Sequence, residues 1–279
     1  MPRLMIFGFG YTAAHLAARL RARGWQVIGT TRDGRGDTIA FGDEDRVRAE
    51  IAAATHLLSS VPPAGGGDPV LLLYGAALHA HRGWCGYLSS TGVYGDAGGA
   101  WVDESAAIGT GRRSARAEAD AAWLALGARV FRLPGIYGPG RSPLDRVRAG
   151  TAHRVDAPGQ VFSRIHVEDI ARGVIAGVDA PAGAYNLADD LPAPQNDVLA
   201  FAARLLGVAP PDVVPLDRLS PAARGFYAEN RRVATGKAKR VLGWAPVFVD
   251  YRAGLRALNA TTSPISVSTP PPSASGVQR

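Results

Sequence analysis

The chain has 279 residues, 47% hydrophobic and 20% charged, with a formal net charge of +7. This is the composition of a globular protein long enough to bury a sizeable core, in one large or two interleaved domains. The positive excess is almost all arginine, lysine occurring at 237 and 239 alone, and it is scattered singly, which argues against a nucleic-acid partner.

A single cysteine, Cys85, excludes an intramolecular disulfide and a cysteine-based metal cluster, and suits a reducing compartment. The histidines show no metal-binding spacing, so no metal site is expected. With no secretory leader and no apolar run of membrane-spanning length, the expectation is a cytoplasmic protein with no membrane partner.

Taken in order, apolar runs of strand length alternate with helical patterns: LMIFG, a helix to about Arg23, WQVIGTT, TIAFG, a helix from about Glu44, THLLSSV, a helix near Leu71 to His81, and GYLSS. That alternation predicts an α/β protein with a Rossmann doubly wound parallel sheet of about seven strands. ARVFRLPGIYG and GAYNLAD supply two later strands, and EDIARGVIAGV, from Glu168, a helix that returns to the sheet. Between those two strands, and again from about Leu191 to Arg240, the chain reads as proline-rich loops and isolated helices. The expected organisation is a sheet domain over 1–140 and 164–190, a smaller substrate lobe over 141–163 and 191–258, and a disordered tail over 261–279.

GFGYTA at the first strand-to-helix turn is the strongest local signal. Gly8 permits a tight turn, Gly10 lets the backbone approach a diphosphate, and Ala13 lets helix pack closely on strand. Tyr11 opens the helix, whose N-terminus presents free amides and partial positive charge to phosphate. Such a turn predicts a dinucleotide cofactor.

The end of the second strand decides which one. VIGTTRD puts Thr31 where an acidic residue would hold the NAD ribose, with Arg32 next and Arg35 in reach, so NADP is expected over NAD. In the alternative, Arg32 is a solvated loop cation and Asp33 touches the ribose. Asp43, after the third strand, either bonds the adenine amino group or caps the following helix.

Four further stretches, YLSSTGVYG (87–95), RLPGIYGPGR (132–141), SRIHVEDIA (163–171) and YNLADD (185–190), resemble the extended short-chain dehydrogenase/reductase family, which contains nucleotide-sugar epimerases and dehydratases. The resemblance covers about residues 1–258, and the G-x-G-Y turn is similar to the family's atypical branch. It implies an NAD(P)-binding domain with a C-terminal lobe closing over the nicotinamide. Ser90 would hydrogen-bond a substrate oxygen, Pro134 would sit beside the nicotinamide, and His166 with Asp169 would fix the junction between lobes. Ser59 and Ser60, at the end of the fourth strand, join the expected cofactor residues. Ser90 as a plain turn cap and His166 as a structural histidine are the competing readings.

The family's Tyr-x-x-x-Lys pair is absent. In GRRSARAEADAAWLAL the aligned residues are Arg112 and Arg116. Arg116 can hold the ribose, but a guanidinium does not give up a proton. The candidates for a relocated acid are Tyr94, Tyr137 and Glu104, with Arg112 binding a substrate anion or stabilising an oxyanion. Arg141, Arg146, Arg164, Arg231 and Arg232 suggest an anionic substrate, and Asn230 and Arg231 lie in a segment that resembles the family's closing segment, from which a cation reaches the substrate. The expected function is an NADP-dependent oxidoreductase or epimerase/dehydratase-like enzyme acting on a small molecule; a catalytically silent NADP-binding sensor is the alternative. By the same resemblance, VLLLYGAALHAH and the 111–126 helix could support a homodimer.

Overall fold

The computed structural model describes residues 1–109, 111 and 114–262. A seven-stranded parallel sheet forms its centre: β1 (Arg3–Phe7), β2 (Gln26–Thr31), β3 (Ile39–Ala40), β4 (His56–Ser59), β5 (Trp84–Ser90), β7 (Arg129–Leu133) and β11 (Gly183–Asn186), in the order β11-β7-β5-β4-β1-β2-β3. The direction of winding reverses between β1 and β4, which opens a crevice beyond the carboxyl ends of the strands. α1 (Tyr11–Arg21) and α6 (Val167–Ala176) cover one face; α2 (Glu44–Ala53), α3 (Pro69–Ala80) and α4 (Ser114–Ala125) cover the other.

Burial on both faces explains why β1 is apolar at successive positions rather than alternate ones. Leu4 and Ile6 enter the layer with Leu16 and Leu20 of α1, while Met5 and Phe7 enter the layer with Tyr74 of α3 and Trp123 of α4. Asp68 caps α3 by accepting from Val70 and Leu71 N (2.9 and 3.1 Å), and its other oxygen accepts from Trp123 Nε1 at 2.9 Å. One carboxylate thus ties a helix start to a fully buried side chain on the next helix. With Asp68 as cap and Pro69 preset for the first turn, α3 starts at Pro69 rather than near Leu71.

The stretch ARVFRLPGIYG, expected as one strand, is two. Pro134 offers no amide to a ladder, so β7 ends at Leu133 and the chain crosses into β8 (Gly135–Tyr137), which pairs with β10 (Arg164–His166) in a separate ribbon. Two further parallel ribbons pair β6 (Trp101–Val102) with β13 (Arg232–Val233) and β9 (Arg154–Asp156) with β12 (Val213–Pro215); β9, β12 and β13 stand where loops and isolated helices were expected. Their partners lie far apart in sequence, and such short strands carry no local period. α5 (Pro143–Arg148), α7 (Gln195–Leu206) and α10 (Tyr251–Thr262) enclose a separate apolar core that includes Leu144, Phe201 and Leu255. α8 (Pro221–Tyr227) and α9 (Gly236–Val241) complete this side. Thr261 and Thr262 end α10 instead of opening a tail; the remainder of that expected tail lies outside the described residues.

Asp169 ties α6 to the segment before α10: its carboxylate accepts from Val247 N (2.7 Å) and Phe248 N (3.0 Å) while its carbonyl accepts from Trp244 Nε1 (3.1 Å). His166 caps α6 through Nδ1, accepting from Glu168 N at 3.2 Å, beneath the Phe248 ring. Burial pushes this imidazole down to about 4, so it is neutral at ordinary pH and serves as a cap.

Candidate cofactor and substrate site

Gly8, Ser59, Ser60, Ser90 and Pro134 all stand at the carboxyl edge of the parallel sheet, each at or just after the end of its strand. At the first turn Gly8 has φ +82°, and a Cβ there would lie 2.9 Å from Val61 Cγ2. Its amide donates to Thr30 Oγ1 (3.1 Å) and its carbonyl accepts from Ser60 Oγ (2.9 Å), which fixes the turn. Gly10 caps α1 with no side-chain hydrogen bond, and the first turn of α1 carries no acidic residue. A Cβ on Gly10 would meet nothing within 4 Å, so the backbone borders open space in front of the helix amides. With Ala13 buried behind, the cradle fits a diphosphate. Tyr11 donates to Pro139 O at 3.1 Å, and the Arg141 guanidinium lies 5.7 Å from its ring, which brings the 138–141 loop against the turn.

At the end of β2 a pocket of about 250 Å³ is lined by Phe9, Thr31, Arg35 and Thr38 among others. Thr31 is drawn into the loop itself: its Oγ1 accepts from Gly34 N and Arg35 N, both at 3.1 Å, and pairs with Thr38 Oγ1 at 2.7 Å. Arg32 is exposed and does not line this pocket, so Arg35 is the residue of the pair that faces it. Asp43 caps α2, accepting from Arg46 N at 3.3 Å. Ser59 is fully buried beneath the turn.

Beyond β5 and β7 opens a cavity of about 800 Å³, bordered by Ser90, Thr91, Pro134 and Ile136 on the sheet side and by α8 opposite. Ser90 Oγ accepts from Gly92 N at 3.1 Å, as a turn cap does, and also borders the cavity. Arg116 donates to Tyr87 Oη at 3.0 Å. This phenol does not replace the missing one: it is fully buried, stacked on Trp123 at 5.4 Å, and burial, opposed by Arg116, pushes it up to about 12. Arg112 lies outside the described residues.

The relocated acids expected from the sequence do not line the cavity. Tyr94 belongs to a buried network: it accepts from Arg132 Nη1 (3.0 Å) and donates to Asn186 Oδ1 (2.7 Å). Arg132 grips Asp120 with two nitrogens (2.7 and 3.1 Å), and Ser89 donates to the same carboxylate (2.6 Å). Glu104 accepts from Asn186 N at 2.6 Å, from the other side of the same network. Truncating one member of such a buried pair costs about 3–5 kcal/mol, so these residues hold the edge of the sheet together. Tyr137 points into the apolar core of α5, α7 and α10, its hydroxyl buried without a partner and its pKa raised, chiefly by burial. Burial keeps Tyr94 and Tyr137 from water, and none of the three reaches the cavity, so they are not placed to protonate a molecule bound there.

The expected substrate residues divide. Asn230 does not line the cavity; its side chain donates to Gly159 O (3.0 Å) and accepts from Val161 N (3.3 Å), a tether between loops. Arg141, Arg164 and Arg231 do line it. His153, Phe226, Tyr227 and Glu229, which sequence reasoning missed, also border it. Their one local signal is SPAARGFY, where Ser220 caps and Pro221 opens α8. Burial, opposed by Arg146 and Arg164, raises the Tyr227 phenol. Among the described residues no group of acidic, histidine and cysteine side chains is placed to hold a metal, and no helix is long and apolar enough to cross a membrane.

No protein-family model matches the chain. It is 33% identical to protein YeeZ of Escherichia coli K12 over 242 residues, 76% of this chain and 86% of that one. It is 32% identical to a 3-diazoavenalumate denitrifying reductase of Streptomyces over 142 residues, which span 46% of the reductase, less than half its length. Among solved structures, a functionally unknown conserved protein from Silicibacter pomeroyi is 42% identical and superposes with a TM-score of 0.85 over 94% of this chain and 99% of that one. The human epimerase family protein SDR39U1, solved with NADPH, shares the fold at 17% identity (TM-score 0.72; 92% and 99% of the chains). Identity to YeeZ over most of both sequences places the chain in the same family as YeeZ, and its fold is shared with solved epimerases and dehydratases.

Proposed function

We propose that the chain is an NADP-dependent oxidoreductase that acts on a small anionic molecule. The observation that carries this reading is the cavity of about 800 Å³ between the sheet edge and α8, on the same edge as the glycine turn. A silent cofactor sensor needs no such space beside the reactive ring. The reductase of Streptomyces and the NADPH-bound human fold neighbour point the same way.

In this reading Gly8, Gly10 and the first-turn amides of α1 hold the diphosphate, Tyr11 and Arg141 close over it, and Arg35 faces the 2′-phosphate. Pro134 walls the nicotinamide, and Arg116 holds its ribose. The bound dinucleotide would supply hydride to an electrophilic atom of the substrate. Ser90 Oγ donates to the substrate atom that gains charge, holding it at the sheet edge. The proton comes from the cavity wall, where Tyr227 Oη is a phenol with no hydrogen-bond partner among the described residues.

Titration with NADPH and NADH, followed through nicotinamide fluorescence, tests the assignment. NADPH binding more tightly than NADH is expected. Absence of both from the purified protein would overturn the reading.

A further inference from the structure

The charge lining the cavity exceeds what a nicotinamide site requires. Among the described residues four guanidiniums, Arg141, Arg146, Arg164 and Arg231, border it against one carboxylate, Glu229. Three of the four are already engaged. Arg164 is buried and donates to Phe162 O (2.7 Å), Ala193 O (2.9 Å) and Gln195 Oε1 (2.9 Å). Arg231 pairs with Glu229 at 3.0 Å and donates to the Gly95 carbonyl. Arg141 lies over Tyr11, at the glycine turn.

Arg146 is different. Among the described residues its guanidinium makes no hydrogen bond, ion pair or ring contact, whereas Arg141 is held over Tyr11, and Arg146 lies close enough to Tyr227 to lower that phenol. His153 borders the same cavity, and its ring is likewise without a hydrogen bond among the described residues. One uncommitted guanidinium with one imidazole matches a single carboxylate. A diphosphate, with at least twice the charge, would call for more free cations than the described residues of the cavity wall supply.

The remaining wall is apolar and aromatic. Tyr227 and Phe162 meet edge to face at 5.4 Å, and Phe226, though a phenylalanine, is 52% exposed. Covering such a ring gains about 25 cal/mol per Å², and aromatic edges favour a planar π partner.

We propose that this cavity binds a planar aromatic carboxylic acid, its carboxylate on Arg146 and His153 and its ring against Phe226 and Tyr227. The proposal rests on the oxidoreductase reading and names the substrate class: the end of the acid remote from the carboxylate would face Ser90.

Isothermal titration of the full chain, with and without saturating NADPH, decides it, using trans-cinnamate, its neutral amide and inorganic pyrophosphate as probes. Cinnamate should bind, and the amide should bind about tenfold more weakly or worse. Arg146→Gln should cost cinnamate a similar factor while leaving NADPH affinity and the thermal midpoint in place, and Phe226→Ala should weaken cinnamate as well. The proposal is overturned by equal affinity for acid and amide, by tighter binding of pyrophosphate at this site, by indifference to Arg146→Gln, or by no cinnamate binding in either state. Failure of NADPH alone to bind would remove the cofactor assignment, and the cinnamate titration of the free chain would still judge the cavity.

Discussion

The glycine turn and the cavity it faces are built in opposite ways. The turn uses consecutive residues, Gly8 to Ala13, whose conformations follow from glycine's freedom at φ +82° and from a helix that starts without a side-chain cap. The cavity takes its walls from Ser90 at one extreme and Val233 at the other, through β5, β8, β10, α5 and α8. A local device tolerates change everywhere except in its own few residues. An assembled one depends on every element that positions its walls, and its chemistry can drift while the turn stays put. The absence of a Tyr-x-x-x-Lys pair beside the proposed cofactor cradle is what that difference allows.

The largest effect should come from Gly10→Val. Its branched side chain would project into the space in front of the α1 amides, and since a Cβ there meets no protein atom the fold should survive. Nicotinamide fluorescence should show cofactor binding reduced by ~10²-fold or more, with the thermal midpoint unchanged. A retained affinity would break the claim that the turn is the cradle. Next is Ser90→Ala, which should lower turnover by about 10²-fold with NADPH affinity intact, because the hydroxyl acts on the substrate and not on the cofactor. If both fell together, Ser90 would be a plain turn cap.

A third test concerns how the interior beneath the cavity titrates. Asp189, buried just after β11, is pushed up to about 8 by burial, opposed by Arg164 and by the Leu191 amide. Its folded pKa exceeds the unfolded value of about 4, so the native state keeps a proton that the unfolded chain has lost. Stability therefore falls from pH 4 to 8 at about 1.4 kcal/mol per unit. His166, lowered to about 4, has the opposite sign: the unfolded chain takes up a proton below about pH 6.5, so stability is lost on acidification from 6.5 to 4. The two slopes cancel between pH 4 and 6.5, leaving a net loss of about 2 kcal/mol between 6.5 and 8. Chemical denaturation across this range should show that asymmetry. Asp189→Asn should abolish the alkaline loss and expose the acid one; an unchanged profile would sink the assignment.

The smallest effect separates two neighbouring arginines. Arg35→Asp should shift the NADPH over NADH preference by about tenfold, whereas Arg32→Asp, on an exposed residue outside the pocket, should change it by about twofold or less. Equal shifts would return the 2′-phosphate to Arg32 and make the β2 end less sharply defined than the glycine turn.

Much of the sheet and of the glycine turn was legible because the signals are short-range. The alternation of apolar runs, the glycines, and Asp43 and Asp68 at helix starts each act within a few residues of where they are read. Arg35 against Arg32 was not separable, since two cations three residues apart in a loop have no period to give them a direction. Tyr94 and Tyr137 illustrate the other limit. Both follow a sheet strand closely and both look available in the sequence, yet one is bonded to Arg132 and Asn186 and the other is sealed under α10.

By itself, then, the amino-acid order determined that a parallel sheet would form, where its first turn would leave backbone amides facing a ligand, and that the usual phenol and ammonium would be missing. Tertiary structure alone decided which charged and aromatic side chains face the vacant side of that edge. Arg146, His153 and Tyr227 meet there through long-range packing of α5, α8 and the ribbons between them, contacts whose sequence separation leaves no local trace. The sheet is written in near-neighbour periodicity, and the cavity in contacts that exist only once the chain has folded.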